Sequence, residues 1–345
     1  MEALAVCMAR KGHDVTLYNR GRSRTVTTDL CNGVHIRSVP VIPLSGISAV
    51  MGSLFAAVRA VFGRYDCIHI HAEGPAVMTF LPHILGIRNV VTIHGLDWKR
   101  SKWGSFASWY LKLGEKCAAK YADELIVLSR ATQEYFRETY GRETVYLPNG
   151  VEPVQIREAA AITRQWNLKK DDYILYLGRI VPEKELLTLI QSFSGVKTDK
   201  KLVIAGSPKD MPAYYEEVCA AAKDPRIQFV GFAQGLVLEE LFSNSYLYCL
   251  PSALEGMPIS LLEALSFGNC CVCSDIAECT EVLGEDGFSF PVGSVEALRD
   301  LLQKLCDQPE LVADCKARVA RDFTPLNWDE VAEKTLELYQ PEGSR

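Results

Sequence analysis

The chain has 345 residues, 48% hydrophobic and 23% charged, the make-up of a folded protein with room for two domains; a disordered, collagenous or disulfide-stapled chain is excluded. Charge is unevenly divided: residues 1–150 hold 18 Lys/Arg against 12 Asp/Glu, a net of +6, and residues 151–345 hold 19 against 31, a net of −12. The first half is therefore expected to meet something anionic, although it is too mildly basic, and too free of motifs, for a nucleic-acid binder.

No basic stretch leads into an apolar one at the start, so no secretory signal is expected. Residues 2–18, EALAVCMARKGHDVTLY, predict a helix, a stop at Gly12 and a strand over 15–18. The charge-free run 38–58 approaches bilayer-spanning length. Pro40, Pro43, Gly46 and Gly52 interrupt it, so it reads as a loop and a buried helix. Short apolar strands follow over 67–70, 90–93, 125–128 and 145–147, ending at His71, His94, Ser129 and the Pro148-Asn149-Gly150 turn. Helices are expected between them, notably over 103–121 and 131–140.

After Gly150 the alternation restarts. Strands are expected over 173–177, 202–205, 227–230, 246–250 and 270–273, with helices around 186–193, 295–306 and 328–339. Short apolar strands alternating with helices predict α/β architecture with parallel, doubly wound sheets. The boundaries expected are 1–150, 151–327 and a terminal helical segment, 328–345, packing back toward the first domain. The 12 cysteines include Cys270, Cys271 and Cys273 inside one apolar run, and no paired CxxC occurs. Free thiols of a reducing cytosol are the better reading than a zinc site.

In such sheets ligands sit outside the carboxyl ends of the strands. One such end is distinctive: PSALEGMPISLLEALSFG, 251–268. A strand leads through a loop holding Glu255, Gly256 and Met257 to Pro258, expected at the first helical position, and then to Ile259, an apolar stripe and a Gly268 stop. A loop opening onto a helix start suits an anion. The carboxylates of Glu255 and Glu263 suit hydroxyl pairs. A second strand end carries Gly178-Arg179 and then Glu183-Lys184, a fork and a point charge fit for a diphosphate. A surface Arg179–Glu183 ion pair is the alternative for these residues.

These segments, GR-x3-EK at 178–184, EGMPISLLEA at 255–264 and PNGV at 148–151, together with HGLDW at 94–98, resemble the retaining glycosyltransferases of family 4 with the GT-B fold: two Rossmann-like domains facing a cleft. The first half is similar to the branch that builds bacterial cell-surface polysaccharides, rhamnosyltransferases included. The resemblance implies a metal-independent hexosyltransferase that takes a nucleotide diphosphate sugar as donor and needs no cofactor. The acceptor implied is a glycan or a lipid-linked glycan. On this basis Glu255 faces the donor sugar and the Gly256 and Met257 amides face its phosphate, with Pro258 and Ile259 beside them. Glu263 takes the ribose diol, and Arg179 and Lys184, next to Gly178, take the diphosphate. Gly206 admits the nucleobase, and His94 bonds the transferred sugar. Such chains open with a strand and a Gly-rich loop; here Met1-Glu2 stands within the helix that follows, and the strand left out is expected centrally in the first sheet. Glu185 also replaces the glycine usual after EK.

His69 and His71 point the same way on one strand, as metal ligands do, but no third ligand accompanies them. Residues 97–121 mix six Lys/Arg with Trp98, Trp103, Phe106, Trp109 and Tyr110. That mixture, with Trp98, Lys99, Arg100 and Lys102 on the acceptor side, suits the inner face of a cell membrane or a lipid-phosphate acceptor. A solvated helix over a core stripe is the alternative. Two other functions stay open: a GT-B sugar-nucleotide epimerase, and an inactive nucleotide-sugar-binding subunit.

Overall fold

In the first element, α1 (Glu2–Arg10), Leu4, Ala5, Cys7 and Met8 recur at helical spacing and are buried. Leu4, Cys7 and Met8 pack with Val331, Ala332 and Leu338 from the last helix of the chain and with Val90 and Ile126. The structure, a computed structural model, describes residues 1–20, 28–40, 47–100 and 103–341. Lys102 and residues 41–46 of the charge-free run lie outside the described residues.

The chain divides into two units, 1–150 with 326–345, and 151–325. The first contains β1 (Val15–Arg20), β2 (Thr28–Cys31), β3 (Val34–Val39), α2 (Ile47–Val61), β4 (Cys67–His71), α3 (Glu73–Ala76), α4 (Phe80–Ile84), β5 (Arg88–Ile93), α5 (Ser105–Tyr121), β6 (Glu124–Val127), α6 (Arg130–Tyr140) and β7 (Val145–Tyr146). β4, β5, β6 and β7 form a parallel sheet in that order. β1 pairs parallel with β3, and β2 antiparallel with β3, in a separate sheet. Among the described residues no ladder joins this sheet to β4–β7. The β2–β3 pair was not expected. Helix α2 is also less buried than its apolar sequence suggests: Leu54, Phe55 and Val58 are exposed.

The second unit runs α7 (Ala161–Trp166), β8 (Tyr173–Leu177), α8 (Leu186–Ser194), β9 (Lys201–Ala205), α9 (Pro212–Ala221), β10 (Ile227–Gly231), α10 (Leu236–Asn244), β11 (Leu247–Leu250), α11 (Ile259–Ser266), β12 (Cys271–Ser274), α12 (Ala277–Leu283), β13 (Gly287–Phe290), α13 (Val295–Asp307) and α14 (Pro309–Asp322). Its six strands are all parallel, in the order β10-β9-β8-β11-β12-β13. The chain winds outward on one side from β8 and then, from β11, outward on the other. The crevice between the ends of β8 and β11 is therefore a topological switch point, the place where doubly wound sheets bind ligands. The last helix, α15 (Trp328–Tyr339), belongs to the first unit and packs on α1. Its Asn327 cap and Glu330 form a reciprocal capping box.

Candidate functional site

Both distinctive strand ends of the second unit flank this switch point. The Gly178-Arg179 segment leaves β8, and the Glu255 loop leaves β11. A 3₁₀ turn, Pro182–Lys184, carries Lys184 back to the loop, where Ala253 N–H donates to the Glu183 carbonyl at 2.9 Å. Lys184 Nζ then donates to Glu255 Oε1, and each of these side chains is only about a tenth exposed. Sequence reasoning assigned one to phosphate and the other to sugar; the fold makes them partners that hold each other in place.

Two buried tyrosines brace the crevice. Tyr176 Oη donates to the Arg179 carbonyl at 2.7 Å, while Tyr248 Oη bonds the Leu177 carbonyl at 3.1 Å and Ser260 Oγ at 2.8 Å. Burial drives both phenols well above their ordinary range, so they remain neutral donors. The Arg179 side chain is exposed at the strand end.

Pro258 lies one position earlier than expected. Its ψ of 88° is not helical, and its carbonyl accepts from the Leu261 and Leu262 N–H groups at 3.0 and 3.1 Å, so α11 begins at Ile259. Gly256 and Pro258 are buried, Met257 is half-buried and Ile259 is exposed. Gly268 closes α11 at φ +74°, as expected. Gly206 has a local explanation as well: a Cβ there would stand 2.4 Å from the Gly178 carbonyl oxygen, so its bareness lets two strand ends approach. Glu185 is left-handed at φ 51° and ψ 37°, which explains why glycine suits that position.

Glu263 is the unusual group. It is half-buried on α11, among the described residues no hydrogen bond or ion pair reaches its carboxylate, and burial pushes its pKa up to about 6. A desolvated, unpaired carboxylate is unfavourable for folding and favourable for a ligand that brings its own donors.

In the first unit, the adjacent strands β4 and β5 deliver three imidazoles. His69 and His71 stack with centroids 4.1 Å apart, and His71 stacks on His94 at 5.3 Å, with His71 Nδ1 3.1 Å from His94 Nε2. Both His69 nitrogens are taken, by Tyr339 Oη at 2.8 Å and Thr92 Oγ1 at 2.7 Å, so its expected ligand-like direction serves α15 instead. Burial lowers His69 to about 3, His94 to about 4, and His71 well below the ordinary value. At neutral pH His94 is thus an uncharged donor–acceptor, and its bond to His71 decides which nitrogen carries the proton. A small cavity, about 30 Å³, is lined by the three histidines, Asn149 and Trp328 and has room for about one water. Immediately after His71, Ala72 stands at φ 74° and ψ 158°, a region nearly reserved for glycine.

Trp98, Lys99 and Arg100 follow His94 in a 3₁₀ turn, where Arg100 Nε donates to Asp97 Oδ1 at 2.8 Å. Ser129, expected at a strand end, caps α6 by accepting from Thr132 N–H. Sequence reasoning missed Tyr339 and Trp328, because they come from the far end of the chain. It also missed two buried acids, Glu73 and Glu115. Nothing local marked them: Glu115 stands between Lys112 and Lys116 on its helix, and Glu73 opens a helix of four residues.

Comparison with known proteins accounts for both units. Residues 1–155 match the family model "Glycosyltransferase Family 4", and residues 159–322 match "Glycosyl transferases group 1". An uncharacterised glycosyltransferase of Methanocaldococcus jannaschii is 25% identical over 98% of this chain and 92% of its own length. The Escherichia coli UDP-Gal:α-D-GlcNAc-diphosphoundecaprenol α-1,3-galactosyltransferase is 25% identical over 75% of this chain and 72% of its own. The structure of a sucrose-phosphate synthase from Thermosynechococcus elongatus superposes with a TM-score of 0.78 at 19% identity, covering 97% of this chain and 90% of that one. The chain belongs to the family 4 glycosyltransferases, with the two Rossmann-like units of the GT-B fold.

Proposed function

We propose that the protein transfers a hexosyl group, rhamnosyl being one candidate, from a nucleotide diphosphate sugar to a lipid-linked glycan in cell-surface polysaccharide synthesis, with retention at the anomeric carbon. The observation that carries this reading is the switch-point crevice, where Lys184 and Glu255 are paired while Glu263, on the helix that follows, is desolvated and unpaired.

Lys184 and Arg179 hold the diphosphate and stabilise the charge that grows on its departing oxygen, an effect of a few kcal/mol for a well-aimed donor (about 3). Glu255 accepts from donor-sugar hydroxyls, beside the Gly256 and Met257 amides and the Pro258-Ile259 helix start. Glu263 accepts the ribose diol, and His94 bonds the transferred sugar as a neutral imidazole. The C1–O bond to the diphosphate breaks, and the acceptor oxygen forms its bond to C1 on the same face. The acceptor proton passes to the leaving phosphate oxygen, so neither a protein nucleophile nor a metal enters the scheme. The Escherichia coli relative's name, with its UDP-linked donor and diphosphoundecaprenol-linked acceptor, supports the substrate classes.

The acceptor's lipid calls for a membrane surface, and α5 offers one. Its exposed stripe is Phe106, Trp109, Lys112, Lys116 and Lys120, aromatic and then basic, while its one carboxylate, Glu115, is buried. Such a stripe places rings at the headgroup boundary and ammonium groups on anionic lipid. No helix of the described residues is long and apolar enough to cross a bilayer. Docking at the cytoplasmic face through this stripe is the mode proposed.

The test is incubation of UDP-, GDP- and dTDP-sugars with diphosphate-lipid acceptors, followed by NMR of the product. A retained anomeric configuration is expected. Inversion, or an epimer formed from donor alone, would replace this reading. Salt-sensitive co-sedimentation with anionic vesicles is expected, and its absence would remove the membrane part.

A further inference from the structure

Helix α5 grips both loops that follow the stacked histidines, and the proposed function gives no role to Glu115 or Gly114, through which it does so. Ser108, Lys112 and Glu115 are four and three residues apart and so share one face of the helix. All three meet Trp98 of the turn after His94. Glu115 Oε1 accepts from the indole Nε1–H at 2.6 Å, Lys112 Nζ lies 3.9 Å from the ring centroid, and Ser108 Oγ is 3.5 Å from the Trp98 carbonyl.

The other Glu115 oxygen accepts from Tyr135 and Tyr140 of α6, at 2.9 and 2.8 Å. On the same helix, Gly114 lets the loop after His71 approach: a Cβ there would stand 1.8 Å from the Glu73 carbonyl oxygen. Glu73 is fully buried beside Glu115. Burial and its acidic neighbour raise Glu73 to about 10, so its own carboxyl is neutral at pH 7. A side chain that accepts three bonds, from one helix and one turn, makes a stiff joint.

We infer that Glu115 is a positioning residue: it clamps Trp98 and so sets the turn that carries Lys99 and Arg100 behind His94. Its catalytic consequence rests on the proposed function; the clamp itself does not.

The test is a cycle of Glu115→Gln, Trp98→Phe and the double variant, in the full chain. Subtracting the emission of each Trp98→Phe form isolates the Trp98 signal, which needs no turnover. Glu115→Gln is expected to shift that signal, because an amide keeps one acceptor oxygen and cannot hold the indole and both phenols at once. Acceptor KM should rise about tenfold while donor KM stays within about twofold, and the double variant should lose no more than Trp98→Phe alone. Should Glu115→Gln fail to fold, Tyr140→Phe removes one of the three bonds and is expected to act in the same direction, about threefold. An unchanged Trp98 signal overturns the inference, and so do additive losses or donor and acceptor KM rising together. If no donor is turned over by the unmutated chain, the proposed function fails while the emission arm still decides the clamp.

Discussion

In the second unit the candidate groups come from two short motifs: Arg179 and Lys184 follow β8, Glu255 and Glu263 follow its neighbour β11, and both leave a single six-stranded parallel sheet at its switch point. In the first unit the described strands form two separate sheets, and the imidazoles are held by packing on one another and on the last helix, His71 bonding His94 and His69 bonding Tyr339. The first arrangement builds a charged pocket from local motifs. The second keeps three rings neutral by burial. A site of local motifs should fail one residue at a time, whereas a packed site should fail by losing its geometry.

The largest effect is expected at the pair in the crevice. Lys184→Ala removes the cation and strands Glu255 in a mostly buried position. Turnover should fall by about 10²–10³, and thermal denaturation should show a loss on the order of 3 kcal/mol.

Glu263→Gln separates binding from folding. The folded-state pKa of about 6 lies above the usual 4.5, so the folded form holds the proton more tightly. The native state therefore loses stability as pH rises from about 4.5 to about 6. The penalty is fully present above that window and absent below it, amounting to about 2 kcal/mol. The Gln variant should be more stable by about that much at pH 7.5, equal at pH 4, and bind nucleoside diphosphate about tenfold more weakly. Its activity profile should also lose the acid limb near pH 6. His94→Asn should keep that limb, because His94 is already neutral there.

These outcomes concern positions that differ in how readily the sequence revealed them. The 251–268 segment was readable because strand, loop, helix start and both carboxylates lie within eighteen residues, and the parallel alternation of the second unit was readable for the same local reason. The Lys184–Glu255 pair was not, since it spans 71 residues and depends on which strands become neighbours. Nor was the β2–β3 pair, whose short strands carry little periodicity, or the exposure of α2, whose apolar sequence says nothing about what covers it. The Glu73–Glu115 pair was hidden by its chemistry: lone acids in helices are ordinarily solvated, and only the fold shows these two fully buried.

The smallest effects test strain. Ala72→Gly relieves a conformation worth about 1–3 kcal/mol, partly offset by the freer unfolded chain. A net gain of about 1 kcal/mol is expected in urea denaturation, and an unchanged midpoint would mean the loop after His71 is relaxed. Glu185→Gly relieves similar strain but forfeits the bond from Thr188 Oγ1 at 2.7 Å, so its midpoint should move by less than about 1 kcal/mol.

The central claim is that the β8–β11 crevice holds a nucleoside diphosphate through Lys184 and Glu263. Titration calorimetry of the unmutated chain, Lys184→Ala and Glu263→Gln with UDP, GDP and dTDP tests it most directly. One of the three nucleotides is expected to bind the unmutated chain, and each substitution should weaken that binding about tenfold or more. Binding that both substitutions leave intact, or no binding of any nucleotide, would contradict the claim.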